Sequence, residues 1–432
     1  MKRKFLIGLT VTALMSLATL SGCSSSVNGT ADNSTGQKVK INFWYTWGGK
    51  EGSVMDQLIK EYNASQNKIQ VVGLSQGDEQ KQMTAIVGNN PPDLASQYDQ
   101  DNVASWSSKG AMTPLDDFMK KDHYDTSDFL PAALKAVQYN DKTYALPIVM
   151  NTWMLYYNKD LFKKAGIANP PQTMQELKAD ADKLSIVDKK GNLERIGLWP
   201  EQDPTMYMFS FDGSIWDPAK KEITPDNPGF KATVQFYKDM WDKYGSSNLD
   251  RYGSGLGNYA SAQNPFFTGQ AAMAFDGEWL TTFVKEYAPN LNYGVVPIPY
   301  DESHPDAKNA GYINVGALYI PKGSKHPQEA WEFLKWLTSK AQMVKLATSL
   351  GNLAPRKSAL NDPSFKRVPG FTEFLKYSQG PKMSMQPQVP FLNDYLAEIS
   401  TEYDAILRGK TSVDSGLKAI KDKIQPLAQN TN

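Results

Sequence analysis

The sequence is poor in cysteine, histidine and arginine. Cys23 is the only cysteine among 432 residues, which excludes an intramolecular disulfide, a cysteine-based zinc site and an active-site thiol in the body of the chain. His123, His304 and His326 are the only histidines, and neither an HExxH nor a Walker A pattern occurs. No apolar run beyond the N-terminus is long enough to span a bilayer. These absences argue against a zinc protease and a P-loop NTPase, and we expect no metal and no cofactor.

The N-terminus has the parts of a bacterial export signal. Three basic residues at positions 2–4 precede an apolar run from Phe5 to Leu20, which is too short for a comfortable transmembrane helix. The Leu-Ser-Gly before Cys23 resembles the lipobox of bacterial lipoproteins, which implies cleavage before this cysteine and acylation of its thiol. Residues 1–22 are therefore predicted to be a signal peptide, and residues 23–38 the lipid anchor with a flexible, Ser/Asn/Gly/Thr-rich tether. The alternative is a lone buried thiol inside a packed element.

Composition favours a carbohydrate-binding protein outside the cytoplasm. Cleavage would remove three of the 46 basic residues, so that 43 remain against 46 acidic residues, and this balance gives no reason to expect a nucleic-acid partner. Ten tryptophans and 21 tyrosines are many for a chain that is not predicted to need aromatic residues at a membrane interface. Sugar rings pack C–H groups on aromatic faces, while their hydroxyls need donors and acceptors around the rim. The alternative is that most of these rings belong to the core.

The first half of the chain predicts a doubly wound α/β region. Residues 39–45 alternate in the period of a strand, Ser53 is predicted to cap a helix, and residues 68–74 return to a strand. A short strand is predicted at residues 94–97. Because ligands bind beyond the carboxyl ends of such strands, the loops 45–49 and 97–101 are expected at the lip of one crevice.

A second α/β region is predicted to begin around residues 143–157. Residues 197–216 are dense in aromatic side chains interleaved with Pro and Gly, which favours loops around a groove over a regular core face. Residues 327–350 predict an amphipathic helix pair in which Trp331 and Trp336 belong mainly to the core.

Segments along nearly the whole chain resemble, in order, the extracellular solute-binding proteins of ABC importers, in the sugar-binding branch that includes the maltodextrin-binding proteins. The segments that carry the resemblance are INFWYTW, GNNPPDLA, GAMTPLDDF, DKTYALP, LYYNKDLFKKAGI, PPQTMQEL, FFTGQAAMAFDGEW, YGVVPIP and HPQEAWEFLKWLTS. The resemblance implies an α/β fold of two lobes with a ligand cleft between them and two or three hinge crossings, one of them at Pro147–Asn151. It also implies an N-terminal lobe of residues 39–148 plus 309–350 and a C-terminal lobe of residues 149–308 plus 351–432.

The resemblance further implies ligand contacts position by position. Aromatic residues would stack on sugar rings, with Trp279 as the principal one, and carboxylates would accept from sugar hydroxyls. Asn151 stands where the family often has an acidic residue. The implied ligand-binding residues are Trp44, Thr46, Trp47, Asp99, Asp101, Asn151, Trp153, Tyr207, Phe211, Trp216, Asp276, Glu278, Trp279 and Arg356.

The sequence analysis thus predicts a lipid-anchored monomer that captures a carbohydrate, expected to be an oligosaccharide, by lobe closure. It would deliver the sugar to permease transmembrane subunits served by a cytoplasmic ATPase. Two alternatives remain. Paired carboxylates do not exclude a secreted glycoside hydrolase, and the ligand could be a solute other than a sugar. Six arginines in the chain argue against a strongly anionic ligand, although Arg251 would be the residue to suspect if the glycan were acidic.

Overall fold

The computed structural model describes residues 38–200, 203–368, 370–380 and 382–430. The predicted signal peptide, Cys23 and the tether up to residue 37 lie outside the described residues. No helix in the described ranges is long and apolar enough to cross a membrane.

The strands are mostly short, with one long exception in the middle of the chain. Their bounds are β1 Val39–Tyr45, β2 Ile69–Ser75, β3 Leu94–Gln97, β4 Gln138–Tyr139, β5 Lys142–Thr143, β6 Ala145–Asn158, β7 Ile186–Val187, β8 Leu193–Leu198, β9 Trp216–Asp217, β10 Glu222–Ile223, β11 Ala271–Gly277, β12 Tyr293–Val296, β13 Gly311–Tyr319 and β14 Met383–Ser384.

The helices cover both faces of the sheet. Their bounds are α1 Gly49–Ser65, α2 Glu79–Val87, α3 Asp101–Ser108, α4 Asp116–Lys121, α5 Pro131–Lys135, α6 Lys159–Lys164, α7 Met174–Leu184, α8 Pro228–Tyr244, α9 Ser246–Ser254, α10 Pro265–Thr268, α11 Leu280–Tyr287, α12 Pro327–Leu337, α13 Lys340–Leu350, α14 Lys357–Leu360, α15 Phe371–Tyr377, α16 Leu392–Leu407 and α17 Val413–Gln429. Short 3-10 helices occupy Pro204–Met206, Met208–Phe211, Pro305–Ala307 and Pro363–Arg367.

Local sequence explains where the predicted helices begin. Thr173 and Glu176 form a capping box, in which each side chain accepts from the other residue's backbone N–H, and this fixes the start of α7 at Met174. The predicted cap at Ser53 is wrong, because α1 already begins at Gly49, whose positive φ of 55° favours glycine. The Ser53 hydroxyl instead lies inside the first turn and donates to the Gly49 carbonyl at 3.1 Å.

The main sheet runs in the order β2-β1-β3-β13-β6-β11-β8-β7, with β12 paired to β6 and β14 to β13. The long strand β6 belongs to both halves of this sheet. It pairs antiparallel with β13 over Ala145–Thr152 and then with β11 over Trp153–Tyr157. The chain therefore passes from one half of the sheet to the other close to residue 152, at the end of the predicted Pro147–Asn151 crossing.

Two hydrophobic cores lie on either side of this passage. The first core packs β1, β3, β13 and the start of β6 against α12 and α13, and Trp331 is fully buried there as predicted. The second core packs β8 and β11 against α7, α8, α16 and α17. The segment from Leu353 to Tyr377 packs into the first core, whereas the predicted boundary after residue 350 assigns it to the C-terminal lobe. After Tyr377 the chain contributes to the second core again, beginning with Val389.

Candidate ligand-binding site

A cavity of about 320 Å³ lies where the two halves of the sheet meet. One wall follows the carboxyl ends of β1 and β3, and the opposite wall follows β11, so both predicted crevice loops reach it. Its floor is made by the crossing strands β6 and β13. The lining residues are Trp47, Glu51, Tyr98, Val149, Asn151, Tyr259, Trp279, Phe283, Asn314 and Asn352.

Trp279 enters the cavity from the residue just before α11, and a chain of contacts fixes its indole. The indole Nε1 donates to the Tyr259 hydroxyl at 2.6 Å, and this hydroxyl donates to Asp276 Oδ1 at 2.8 Å. The Trp153 ring meets the Trp279 ring edge to face, with centroids 5.4 Å apart. A half-buried, oriented indole of this kind provides a stacking surface for a flat apolar ligand face.

Gly277 has no side chain, and the Trp279 indole occupies the space that a side chain at residue 277 would need. A Cβ atom at residue 277 would lie 2.1 Å from the Trp279 ring, far inside contact distance. Only glycine at the end of β11 therefore lets the indole fold back over the backbone.

The polar floor of the cavity consists of three side-chain amides. The Asn151 amide lies 2.9 Å from the Asn314 amide and 2.6 Å from the Asn352 amide. Behind them Glu278 is fully buried and accepts from the Thr152 backbone N–H at 3.0 Å. Burial raises the pKa of Glu278 to about 8.

The structure places Glu278 behind the cavity lining. Its side chain is fully buried, and its carboxyl group bonds with backbone and amide groups. Asp276 is also buried, and it accepts from Tyr259 and from the Gly277 backbone N–H at 2.8 Å.

Four carboxylates form a second polar group outside the cavity lining: Glu79, Asp99, Asp101 and Asp203. Glu79 accepts from the backbone N–H of Tyr98, which lines the cavity. Burial, followed by the charges of Asp99, Asp203 and Glu79, raises the pKa of Asp101 well above its usual range. Burial and the nearby Asp99 raise the pKa of Glu79 to about 7. The N-terminal ends of α2 and α3 carry Glu79 and Asp101, where the helix dipole favours negative charge.

Among the described residues, no ion pair includes any of these four carboxylates. The buried Tyr312 connects them to the aromatic residues of the cavity. Burial and the charges of Asp101, Asp203 and Asp99 raise the pKa of Tyr312, and its ring lies 5.6 Å from that of Trp153. A carboxyl group without a cationic partner accepts hydrogen bonds from hydroxyl groups when it is ionised, and it can also donate one when it is protonated.

Comparison with known proteins gives this arrangement a family. The family model of bacterial extracellular solute-binding proteins matches residues 57–373. This chain belongs to that family.

Curated relatives and solved structures are similar over most of their length. A maltotriose-binding protein of Pyrococcus abyssi is 26% identical over 407 residues, covering 89% of this chain and 81% of the relative. The sn-glycerol-3-phosphate-binding periplasmic protein UgpB of Escherichia coli K12 is 25% identical, covering 87% and 90%. The structure of CpMnBP1 with mannotriose bound matches with a TM-score of 0.81 and 31% identity, covering 89% of this chain and 99% of that one. The relatives are binding proteins, and the two-part α/β fold is shared with them.

The residues that the resemblance implied separate into groups in this solute-binding protein. Trp47, Asn151 and Trp279 line the cavity, and Trp153 adjoins it. Trp216 lines another cavity, of about 610 Å³, together with Met208 and Gln386. Asp99 and Asp101 form the carboxylate group described above.

Tyr207, Phe211 and Thr46, which the resemblance also implied as ligand contacts, do not line the cavity. Tyr207 and Phe211 are buried in the second core, with Tyr207 stacked on Phe275 at 4.8 Å. Thr46 is buried and bonds to Ser96.

Trp44 and Arg356 do not line the cavity either. Trp44 is half-buried on β1. Arg356 donates to the Thr338 carbonyl at 2.7 Å, and its guanidinium lies 4.0 Å from the Phe129 ring centroid. Arg356 therefore serves packing within the first core.

Arg251, suspected for an acidic glycan, lies on α9 and donates to Asn248 at 2.6 Å. Sequence reasoning missed Glu51, Tyr98, Tyr259, Asn314 and Asn352 as lining residues. Tyr98 follows the predicted strand directly and could have been included on that signal. The other four carry no local pattern that separates them from surface residues.

Proposed function

We propose that this solute-binding protein captures a neutral carbohydrate, an oligosaccharide, in the cavity between its two halves. The observation that carries the proposal is the Trp279 indole, which contacts Tyr259 and Trp153 in a cavity lined mostly by amides and aromatic rings. Aromatic faces match the apolar faces of sugar rings, and amides both donate to and accept from hydroxyls. The cavity volume lies within the range of small-ligand sites.

The electrostatics favour a neutral ligand over an anion. The relatives include both a maltotriose-binding protein and a glycerol-3-phosphate-binding protein, so family membership leaves the choice open. The described lining of the cavity contains no Lys or Arg, while Glu51 lines it and Asp99, Asp101 and Asp203 lie nearby. A phosphate would need basic partners, which the described lining does not contain.

Ligand capture would proceed by closure of two lobes about the crossing strands. The proposed lobes are built on the first and second cores, and β6 and β13 run between them. A sugar that contacts Trp47 and Tyr98 on one side and Tyr259 and Trp279 on the other binds the closed state better than the open one. Such a ligand shifts the population toward the closed form.

We further propose the cellular setting that the sequence predicts. The chain would be a monomer tethered to the membrane through a lipid on Cys23, and its closed form would deliver the sugar to permease subunits of an ABC importer. Acylation here would hold the protein outside the cytoplasm, where the solute is found.

We do not propose catalysis. Residues 73–77 read GLSQG, which matches the GxSxG pattern of a hydrolase nucleophile, but the Ser75 hydroxyl donates to the Trp47 carbonyl at 2.8 Å. Within the described ranges no histidine hydrogen-bonds to Ser75; His304, for example, bonds to Asp301. The serine therefore lacks the base that a triad requires.

A thermal-shift screen of the soluble body, from residue 38 onward, tests the proposed ligand. The panel is mannotriose, maltotriose and glycerol 3-phosphate. A ligand at a hundred times its dissociation constant stabilises the folded state by about 2.7 kcal/mol. We expect stabilisation by a neutral oligosaccharide and none by glycerol 3-phosphate, and the reverse pattern would overturn the proposal.

A further inference from the structure

Glu278 lies behind the cavity floor, where its carboxyl group bonds with the Thr152 backbone and the Asn352 amide. It follows the last residue of β11 and lies one residue before the stacking tryptophan. Its carboxyl group accepts from the backbone N–H of Thr152, at the point where β6 passes between the two halves of the sheet. Asn352 Nδ2 lies 3.4 Å from Glu278 Oε1. The buried carboxyl group of Glu278 therefore bonds with the crossing strand and with the loop after α13, and it is adjacent in sequence to the stacking tryptophan.

The amides in front of Glu278 can be arranged in two ways, which differ in whether Asn151 presents its oxygen or its nitrogen to Glu278 and to the Met150 carbonyl oxygen, 3.2 Å away. As placed, Asn151 Nδ2 donates to Asn314 Oδ1 at 2.9 Å, and Asn151 Oδ1 accepts from Asn352 Nδ2 at 2.6 Å. The Asn151 atom next to Glu278 then lies 2.8 Å from Glu278 Oε1. If that atom is the amide oxygen, two acceptors face each other unless Glu278 carries a proton and donates it.

The opposite orientation suits an ionised Glu278. Turning the Asn151 amide lets its nitrogen donate to Glu278 Oε1 at 2.8 Å. The same turn brings two amide nitrogens together at 2.6 Å toward Asn352, and two oxygens at 2.9 Å toward Asn314. Since an amide nitrogen cannot accept and an oxygen cannot donate, Asn314 and Asn352 must turn as well. The three amides therefore change together.

We propose that Glu278 is a positioning residue, whose proton sets the common orientation of the Asn151, Asn314 and Asn352 amides and with it the hydrogen-bonding pattern offered to the ligand. With the proton present, Asn314 Nδ2 and Asn352 Oδ1 are left to face the cavity. Without it, Asn314 Oδ1 and Asn352 Nδ2 take their places. The inference rests on the proposed function, because it specifies how the same cavity recognises sugar hydroxyls.

The electrostatic surroundings place this change within reach of ordinary pH. Burial raises the pKa of Glu278 to about 8, while the hydrogen bond from Thr152 opposes that rise. The titratable groups around it are Asp276 on its own strand, Tyr156 on β6 and Tyr259 across the cavity. Burial raises the pKa of both tyrosines above the usual tyrosine value, and the charge of Glu278 adds to this rise. Both tyrosines therefore stay neutral over the pH range in which Glu278 ionises. Glu51 and Tyr98 face the cavity from the first half.

The first test uses Glu278→Gln and calorimetric titration with mannotriose between about pH 6 and pH 10. Glutamine accepts from Thr152 and donates to Asn151 at every pH, which fixes the orientation of the protonated state. We expect the wild-type affinity to fall about tenfold as pH rises through the ionisation of Glu278. The variant should keep its affinity over the same range. A wild-type affinity that does not change with pH, or an equal fall in the variant, would overturn the proposal.

The second test needs no ligand, so it separates this inference from the proposed function. The protein is labelled with 5-fluorotryptophan, and the Trp279 signal is assigned through Trp279→Phe. We expect this ¹⁹F signal to show a pH-dependent step in the wild type that is absent from Glu278→Gln and retained in the control Glu373→Gln, which changes an exposed residue of α15 outside the cavity lining. A step that persists in Glu278→Gln, or that disappears in the control, would contradict the assignment. If mannotriose fails to bind while the step is found, the choice of ligand is wrong and the positioning role stands.

Discussion

At the scale of single residues, the account depends first on Trp279. Its indole lies in the cavity and touches Tyr259 and Trp153, while Trp331 is fully buried in the first core. We expect Trp279→Ala to weaken oligosaccharide binding at least about thirtyfold, which corresponds to roughly 2 kcal/mol for an aromatic hot spot. Its unliganded melting curve should move little.

The matched control is Trp331→Ala, which should destabilise the protein by about 3 to 5 kcal/mol because it opens a hole in the core. Calorimetry and thermal unfolding of both variants distinguish the two roles. Unchanged affinity in Trp279→Ala, together with a sharply lower melting temperature, would assign that ring to the core instead.

Gly277 supports the same tryptophan through the space it leaves. We expect Gly277→Ala to displace the indole, because the new Cβ atom would lie 2.1 Å from it, and to reduce affinity about tenfold or more. Gly255→Ala is the control, since its Cβ would meet no atom closer than 3.5 Å. Titration calorimetry of the two variants measures the effect, and equal affinities would show that the indole does not need this space.

At the scale of elements, the N-terminal ends of α2 and α3 hold carboxylates that work against stability. Because the pKa values of Glu79 and Asp101 are raised in the folded state, that state binds more protons than the unfolded chain. The stability that these two groups contribute is fully present at pH values below the usual carboxyl pKa. It is lost as pH rises, and for Glu79 this loss falls between about pH 4.5 and about pH 7.

We therefore expect Asp101→Asn to raise the melting temperature of the unliganded protein at neutral pH, to flatten its decrease with pH, and to weaken sugar binding. Thermal unfolding over a pH series checks the first two effects. Asp188→Asn is the control of opposite sign, since hydrogen bonds from Asn192 keep the Asp188 pKa below its usual value. A lower melting temperature in Asp101→Asn would contradict the repulsion described here.

Helix α7 offers a prediction that separates stability from binding. Thr173→Ala removes the capping box with Glu176 and should lower the free energy of unfolding by about 1 kcal/mol. Sugar affinity should remain as in the wild type, because α7 does not line the cavity. Denaturant unfolding and titration of the same preparation provide the check, and a loss of affinity would show that the cap acts on the site.

Elements with strong local patterns were predictable from the sequence, and those set by tertiary contacts were not. The alternating β1 and the capping box of α7 carry their own signals. The start of α1 was misplaced because Gly49 adopts a positive φ that no side-chain pattern announces. The Pro and Gly residues around Tyr207 and Phe211 favour loops at a groove, yet both rings are buried in the second core beside short 3-10 helices.

At the scale of the whole molecule, the candidate site could be predicted only in part. Trp47 lies in the loop after the predicted first strand, whereas the family resemblance implied Asn151 and Trp279; all three line the cavity. Tyr259 and Asn352 reach the cavity from loops far away in the sequence, and only the packing of the two halves brings them there. The role of Glu278 behind the floor depends on burial, which its sequence neighbourhood does not reveal.

The most direct measurement of the central claim is a calorimetric titration of the body from residue 38 onward with mannotriose, maltotriose and glycerol 3-phosphate under identical conditions. The account predicts saturable binding of a neutral oligosaccharide to one site, with a dissociation constant of about 10 μM or tighter, and no heat of binding from glycerol 3-phosphate. Saturable binding of glycerol 3-phosphate with no response to either sugar would contradict it.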